Sequence, residues 1–219
     1  MEIFHRKKFE RLEFSFGSMN IQGGVENKIS HEEVTDLITA CDLFTLQETW
    51  LLPGESVNIP GFDVFKSNRK PKKKAKKGVD GVLVAYKNIY KKGISRQPSS
   101  NEKDIIWVRL DKVFFGFDND IFVAAGYRPP REGVIGTFYK KLENDIAKYG
   151  NMGDIIILGD LNSRIGRLDQ DITHLDIDRL DNLTTRSLDI RIKRNSQDAV
   201  VNKTGASSLS YPIKLSLLF

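Results

Sequence analysis

Apolar and polar positions change period several times along the chain, and each change marks an element. Phe14-Ser-Phe-Gly-Ser-Met-Asn20 alternates and predicts a strand, which Gln22-Gly-Gly24 stops. Ser30-His-Glu-Glu33 has the composition of a capping box, in which the Ser30 hydroxyl accepts from the Glu33 amide and the Glu33 carboxylate reaches back to the Ser30 amide. Val34, Leu37, Ile38 and Cys41 follow at helical spacing, so a short helix with Cys41 in the core is expected. Leu43-Phe-Thr-Leu46 is then a second strand. Strand, helix and strand in such close order predict a right-handed crossover between parallel neighbours. Gln47-Glu48-Thr49-Trp50 leaves the carboxyl end of that second strand.

Runs at 62–66, 81–86, 105–110, 113–117 and 121–127 are rich in β-branched and aromatic residues and predict a meander of antiparallel strands. Ile135, Phe138, Leu142, Ile146 and Tyr149 trace the apolar stripe of a second amphipathic helix, ended by Gly150. Ile155-Ile-Ile-Leu158 is continuously apolar, as a strand covered on both faces should be, and Gly159-Asp-Leu-Asn162 leaves its end. From 164 to 204 the chain is polar and reads as a long ordered loop or partly flexible segment. The stretch from 207 to 219 is apolar again, without period or cap, and no internal repeat occurs.

Composition narrows the class. With 219 residues, 40% hydrophobic and 29% charged, the chain has the profile of one soluble globular domain. Its single cysteine, Cys41, excludes a disulfide framework and points to a reducing compartment. No apolar run reaches the roughly 20 residues needed to span a bilayer, and residues 1–13 form a basic arm without the apolar stretch of a signal peptide. The expected location is therefore intracellular, nuclear or cytoplasmic, with no membrane partner. The formal charge of +5 is local. Residues 66–77 hold eight Lys/Arg and no acid, and without them the charge turns to −3. Arg69, Lys70, Lys72, Lys73, Lys74, Lys76 and Lys77 are candidate contacts to a nucleic-acid backbone, although such a run reads equally well as a solvated loop or a nuclear import signal.

Polar residues follow three of the apolar strands: Asn20, then Gln47-Glu48, then Asp160 with Asn162. Ligand sites of α/β sheets gather at strand carboxyl ends, so these segments can share a pocket. Glu and Asp are hard oxygen ligands suited to Mg²⁺, and Asn side chains add neutral hydrogen bonds to phosphate oxygens. That set fits metal-assisted phosphoester hydrolysis.

Ser18-Met-Asn-Ile-Gln-Gly23, Leu46-Gln-Glu-Thr-Trp50, Gly126-Tyr-Arg-Pro-Pro130 and Leu158-Gly-Asp-Leu-Asn162, in this order, resemble the endonuclease/exonuclease/phosphatase superfamily over about 14–205. Trp50, the Tyr127-Arg-Pro-Pro stretch, Arg194-Asn-Ser-Gln-Asp198, Val201-Asn202 and Gly205 look most like the endonuclease domains of LINE-type, non-LTR retrotransposon polyproteins. The resemblance implies an α/β four-layer sandwich of two packed sheets flanked by helices, a Mg²⁺ or Mn²⁺ cofactor, and DNA as partner. It also implies roles. Glu48 is the principal metal ligand with Asn20 beside the metal and scissile phosphate, Asp160 orients or deprotonates the attacking water, Asn162 holds the phosphate, and Tyr127 hydrogen-bonds it. Gln22 stands where some members carry a second acid. No Ser-Asp-His occurs, and the histidines are His5, His31 and His174. The expectation is an incomplete domain over 14–205, without its closing strands, followed by an atypical tail at 206–219. Weak or absent activity goes with it. Two alternatives stand beside this: a non-catalytic remnant binding nucleic acid through 66–77, and a phosphatase branch of the superfamily. No obligate protein partner follows from the sequence.

Overall fold

The computed structural model describes residues 14–67, 78–130, 135–162 and 216–218. Two sheets carry the fold. The first has the order β1-β2-β4-β3, built from β1 (Phe16–Asn20), β2 (Leu43–Gln47), β3 (Phe62–Ser67) and β4 (Val82–Lys87). The second has the order β5-β6-β7-β8-β9, built from β5 (Ile94–Gln97), β6 (Ile105–Leu110), β7 (Asp120–Tyr127), β8 (Gly153–Asp160) and β9 (Ser216–Leu218). β1 and β2 are parallel and are joined across α1 (Val25–Ile29) and α2 (Glu32–Thr39). β7 and β8 are parallel and are joined across α4 (Ile135–Gly150), while α3 (Lys112–Phe115) links β6 to β7.

Strand alternation sorts the apolar residues into three cores, and these define four layers. Leu43, Val82, Val84, Ile106, Val108, Val123, Ala125, Tyr127 and Leu158 face inward and pack between the sheets. Phe44, Leu46, Leu83 and Ala85 face the other way and meet Val25 and Ile38 of the first helical layer. Trp107, Phe122, Ile155 and Ile157 meet Phe138, Leu142, Ile146 and Tyr149 of α4. The two sheets with flanking helices form the expected α/β sandwich. Buried Asp145 ties α4 to the second sheet, accepting from Trp107 Nε1 at 3.0 Å, Ser99 Oγ at 3.0 Å and the Ser100 N–H at 2.9 Å.

Several local expectations are corrected. The run 113–117 is not a strand: Asp111 accepts from the Val113 and Phe114 N–H groups, and Gly116 closes the turn at φ 72°, so capping overrides the β-propensity of Val113-Phe-Phe115. The strands do not form a single meander, because β3–β4 and β6–β7 are antiparallel pairs in different sheets. The capping box does not form. His31 takes the N-cap position of α2, and the Ser30 hydroxyl donates to the Asn27 carbonyl. Leu37 is exposed, and Cys41 lies half-buried beyond the end of α2. β9 lies in the apolar tail and pairs in parallel with β8 from Ile156 to Leu158. The basic arm 1–13, the basic residues Arg69, Lys70, Lys72, Lys73, Lys74, Lys76 and Lys77, His174 and the polar segment 164–204 lie outside the described residues.

Candidate active site

Four strands of two sheets end together at one edge of the sandwich. Asn20 closes β1 opposite Gln47 of β2, and Tyr127 closes β7 opposite Asp160 of β8. Parity explains most of what points into the gap between the sheets. Asp160 continues the inward face of Leu158, Tyr127 that of Ala125, and Asn20 that of Phe16 and Ser18. Glu48 breaks the parity. In a continuing strand it would face outward, beside Leu46, but its left-handed backbone (φ 53°) turns it back toward the gap.

The result is a compact hydrogen-bonded group drawn from both sheets. Asn20 Nδ2 donates to Glu48 Oε1 at 2.8 Å and to Asp160 Oδ2 at 2.8 Å, so one amide nitrogen joins carboxylates that are 112 positions apart in sequence. Tyr127 O–H donates to Glu48 Oε1 at 2.8 Å. Burial, then the hydrogen bond to Glu48, then the negative charges of Glu48, Asp80 and Asp160 push the Tyr127 phenol well above its ordinary value, so it stays a proton donor. The Gln22 N–H donates to Asn20 Oδ1 at 3.1 Å, which fixes the amide with its nitrogen toward the carboxylates. The Gln22 side chain is exposed. Beneath the site, Ser18, Thr45 and Gln47 form a small polar network, with Gln47 Nε2 donating to Thr45 Oγ1 at 3.0 Å and to Ser18 Oγ at 3.2 Å.

Asn162 sits in the turn after β8, also left-handed (φ 47°). Its backbone N–H donates to Asp160 Oδ1 at 2.9 Å, and its Nδ2 donates to the Arg128 carbonyl at 2.8 Å. One of its two amide protons is thus used to hold the turn, and the other is left for a ligand. Arg128 belongs to the same assembly, although the sequence reading gave it no role. Its buried guanidinium donates to the carbonyls of Leu161 and Asn162, and to that of Pro129 at 3.2 Å, while its N–H donates to the Asp160 carbonyl at 2.9 Å. A glycine permits this closeness: a Cβ on Gly159 (φ 130°) would lie 1.9 Å from the Gly126 carbonyl oxygen.

Backbone strain concentrates here. The non-glycine residues with positive φ among those described are Gln22, Glu48, Trp50, Asp80 and Asn162, and all lie in the loops around this edge. Each such conformation costs on the order of 1–3 kcal/mol and persists only where its surroundings enforce it, as at functional sites.

The donor set suits a hard divalent cation. Mg²⁺ keeps several waters and needs only one or two protein carboxylates. Glu48 and Asp160 supply two, and neither forms an ion pair with Lys, Arg or His among the described residues. Among those residues no group of three or more His, Cys, Asp or Glu forms a closed metal cage. His31 is exposed at the N-cap of α2, and the described part of the site holds no imidazole.

A family model described as the endonuclease/exonuclease/phosphatase family matches residues 17–196. No curated protein matches the chain. Among solved structures, an AP endonuclease from Archaeoglobus fulgidus is 16% identical with a TM-score of 0.47, the match covering 72% of this chain and 60% of that one. A 3′ phosphatase from Neisseria, solved bound to a product DNA hairpin, is 14% identical with a TM-score of 0.47, over 72% of this chain and 61% of that one. The catalytic domain of Xenopus laevis APE2 is 16% identical with a TM-score of 0.46, over 71% and 60%. The chain therefore spans about three fifths of the length of these structures.

Proposed function

Because the chain belongs to the endonuclease/exonuclease/phosphatase family, we propose that it is a divalent-cation-dependent phosphodiester hydrolase of the DNA endonuclease type, derived from a LINE-type retrotransposon. The observation that carries this reading is the Asn20 amide nitrogen shared by Glu48 and Asp160, because it brings together two carboxylates from opposite sheets that have no ion pair among the described residues.

In this reading Glu48 would hold Mg²⁺ or Mn²⁺ with Asn20 beside it. The bound cation would polarise the phosphoryl oxygens and ease deprotonation of water. Asp160 is aimed by Asn20 Nδ2 and by the Asn162 N–H, and its carboxylate orients the attacking water and takes up its proton. Tyr127 remains protonated, and its single O–H, which Glu48 accepts in the absence of ligands, would turn to a non-bridging phosphate oxygen where charge develops once Glu48 engages the cation. Asn162 offers its second amide proton to the same phosphate.

A site without an imidazole to protonate the leaving group falls short by about 10²–10⁴ of one so equipped. A low activity is therefore part of the proposal. Supercoiled plasmid incubated with the purified chain and Mg²⁺ tests it. Slow nicking that disappears in Glu48→Gln and in Asp160→Asn supports the reading. Nicking that survives both substitutions, or none above a mock preparation, contradicts it.

A further inference from the structure

Trp50 is an anomaly at the rim of the site. Among the described residues, the large apolar side chains that remain exposed are Leu37, Trp50, Ile89, Val113, Phe114 and Met152, and of these only Trp50 lies in the loops that carry the carboxylates, two residues after Glu48. A bulky aromatic residue in the left-handed region is a genuine outlier. Trp50 adopts it at φ 52°, held by its N–H donating to the Asp80 carbonyl at 2.9 Å. Its ring lies against the main chain of Gly23, where a Cβ would come within 2.0 Å of indole Cε3. Gly23 is in turn pinned by its N–H to the Glu48 carbonyl at 2.7 Å. The ring is therefore positioned by both loops of the site, yet the residue remains 37% exposed. Core packing alone does not account for a strained backbone that keeps a tryptophan partly in water.

We infer that Trp50 is a stacking platform for a nucleobase of the nucleic acid whose phosphodiester enters the site. This rests on the phosphodiesterase reading above and adds the substrate feature recognised beside the phosphate. A planar aromatic face is chemically matched to a base, and such stacking is sequence-tolerant because every base presents a π-face. The platform distinguishes a nucleic-acid strand from phosphoesters that carry no base.

Binding of the full chain to a short oligothymidylate and to an abasic strand of equal length and charge, in EDTA so that neither is cut, tests the inference. Wild type should bind the base-bearing strand more tightly by about 5- to 150-fold, the range that one stacked base provides. Trp50→Ala should lose that increment while leaving abasic binding unchanged, and Trp50→Tyr should restore much of it. A spectroscopic signature accompanies binding. The chain has two tryptophans, and Trp107 is fully buried, so iodide-accessible fluorescence reports Trp50. Oligothymidylate should shield it and the abasic strand should not. Equal affinity of wild type for the two strands overturns the inference, as does a Trp50→Ala loss common to both. Plasmid nicking that depends on Glu48 but shows no base-dependent binding sinks this inference alone, whereas absence of Glu48-dependent nicking sinks the hydrolase reading.

Discussion

The two ends of β2 hold carboxylates in opposite ways. Asp42, just before the strand, is neutralised: Lys87 Nζ donates to it at 2.9 Å, the Ser15 N–H and hydroxyl each at 2.9 Å, and the Tyr90 hydroxyl at 3.3 Å. Burial alone would push its carboxyl up, but the Ser15 donors and Lys87 outweigh that and hold it below its ordinary value. Glu48, just after the strand, accepts from a neutral phenol and meets Asp160 through a neutral amide, on a backbone turned left-handed. One end is arranged for stability. The other keeps negative charge unneutralised by the protein's described residues, as a site for an external cation must.

Substitutions at the two ends should therefore separate activity from stability. The largest effect is expected at Glu48 and Asp160. Glu48→Gln and Asp160→Asn should each lower Mg²⁺-dependent nicking by about 10²–10⁴-fold. The Tm of Glu48→Gln should stay level or rise, since a charge repulsion is removed and Oε1 keeps both bonds it accepts, whereas Asp160→Asn loses one of two accepted bonds and should fall by a few degrees at most; a fall comparable to that of a core deletion in either would break the contrast. Gly159→Ala should damage both properties at once. Its Cβ meets the Gly126 carbonyl where Tyr127 and Asp160 are paired, so a stability loss of about 3 kcal/mol and loss of nicking are expected, read by thermal melting and plasmid assay.

Arg128→Gln should act next, through the turn it grips. About 2 kcal/mol of stability should go with its carbonyl contacts, and kcat should fall by a larger factor than KM rises, because Asp160 and Asn162 lose their placement while Glu48 and Tyr127 keep theirs. At the other end, Asp42→Asn should leave nicking intact and lower Tm by about 2–6 °C. The pH dependence has a defined sign. Asp42 has a depressed folded-state value, so its contribution is complete above the unfolded value near 4 and is lost as pH falls through the folded value. Asp42→Asn should flatten that part of the acid melting curve, and an unchanged curve would contradict the assignment.

How much of this was legible beforehand differs by region for physical reasons. β6, β7, β8 and α4 are buried and strongly patterned, and their sequences announced them to within a few residues. β5 (Ile-Ser-Arg-Gln) lies at a sheet edge, exposes Ser95 and Arg96 and therefore has little apolar signal. α1 has five residues, too few for a periodic stripe. α3 shows β-forming residues overruled by the Asp111 cap. At the site, Asn20, Glu48 and Asp160 could be nominated because polar residues follow strands, but their convergence depends on the packing of two sheets, which local sequence does not encode. The family resemblance supplied that link. The turn of Glu48 against strand parity and the grip of Arg128 on main-chain carbonyls left no compositional trace.

The central claim is that Glu48 would hold one divalent cation with Asp160 facing it from the other sheet, and titration of Mn²⁺ into the full chain, with free Mn²⁺ followed by electron paramagnetic resonance, tests it most directly. The account predicts one bound ion per chain, with affinity reduced about 10-fold or more in Glu48→Gln and in Asp160→Asn, and unchanged in Asp42→Asn. Binding by both site variants that equals wild type would contradict it.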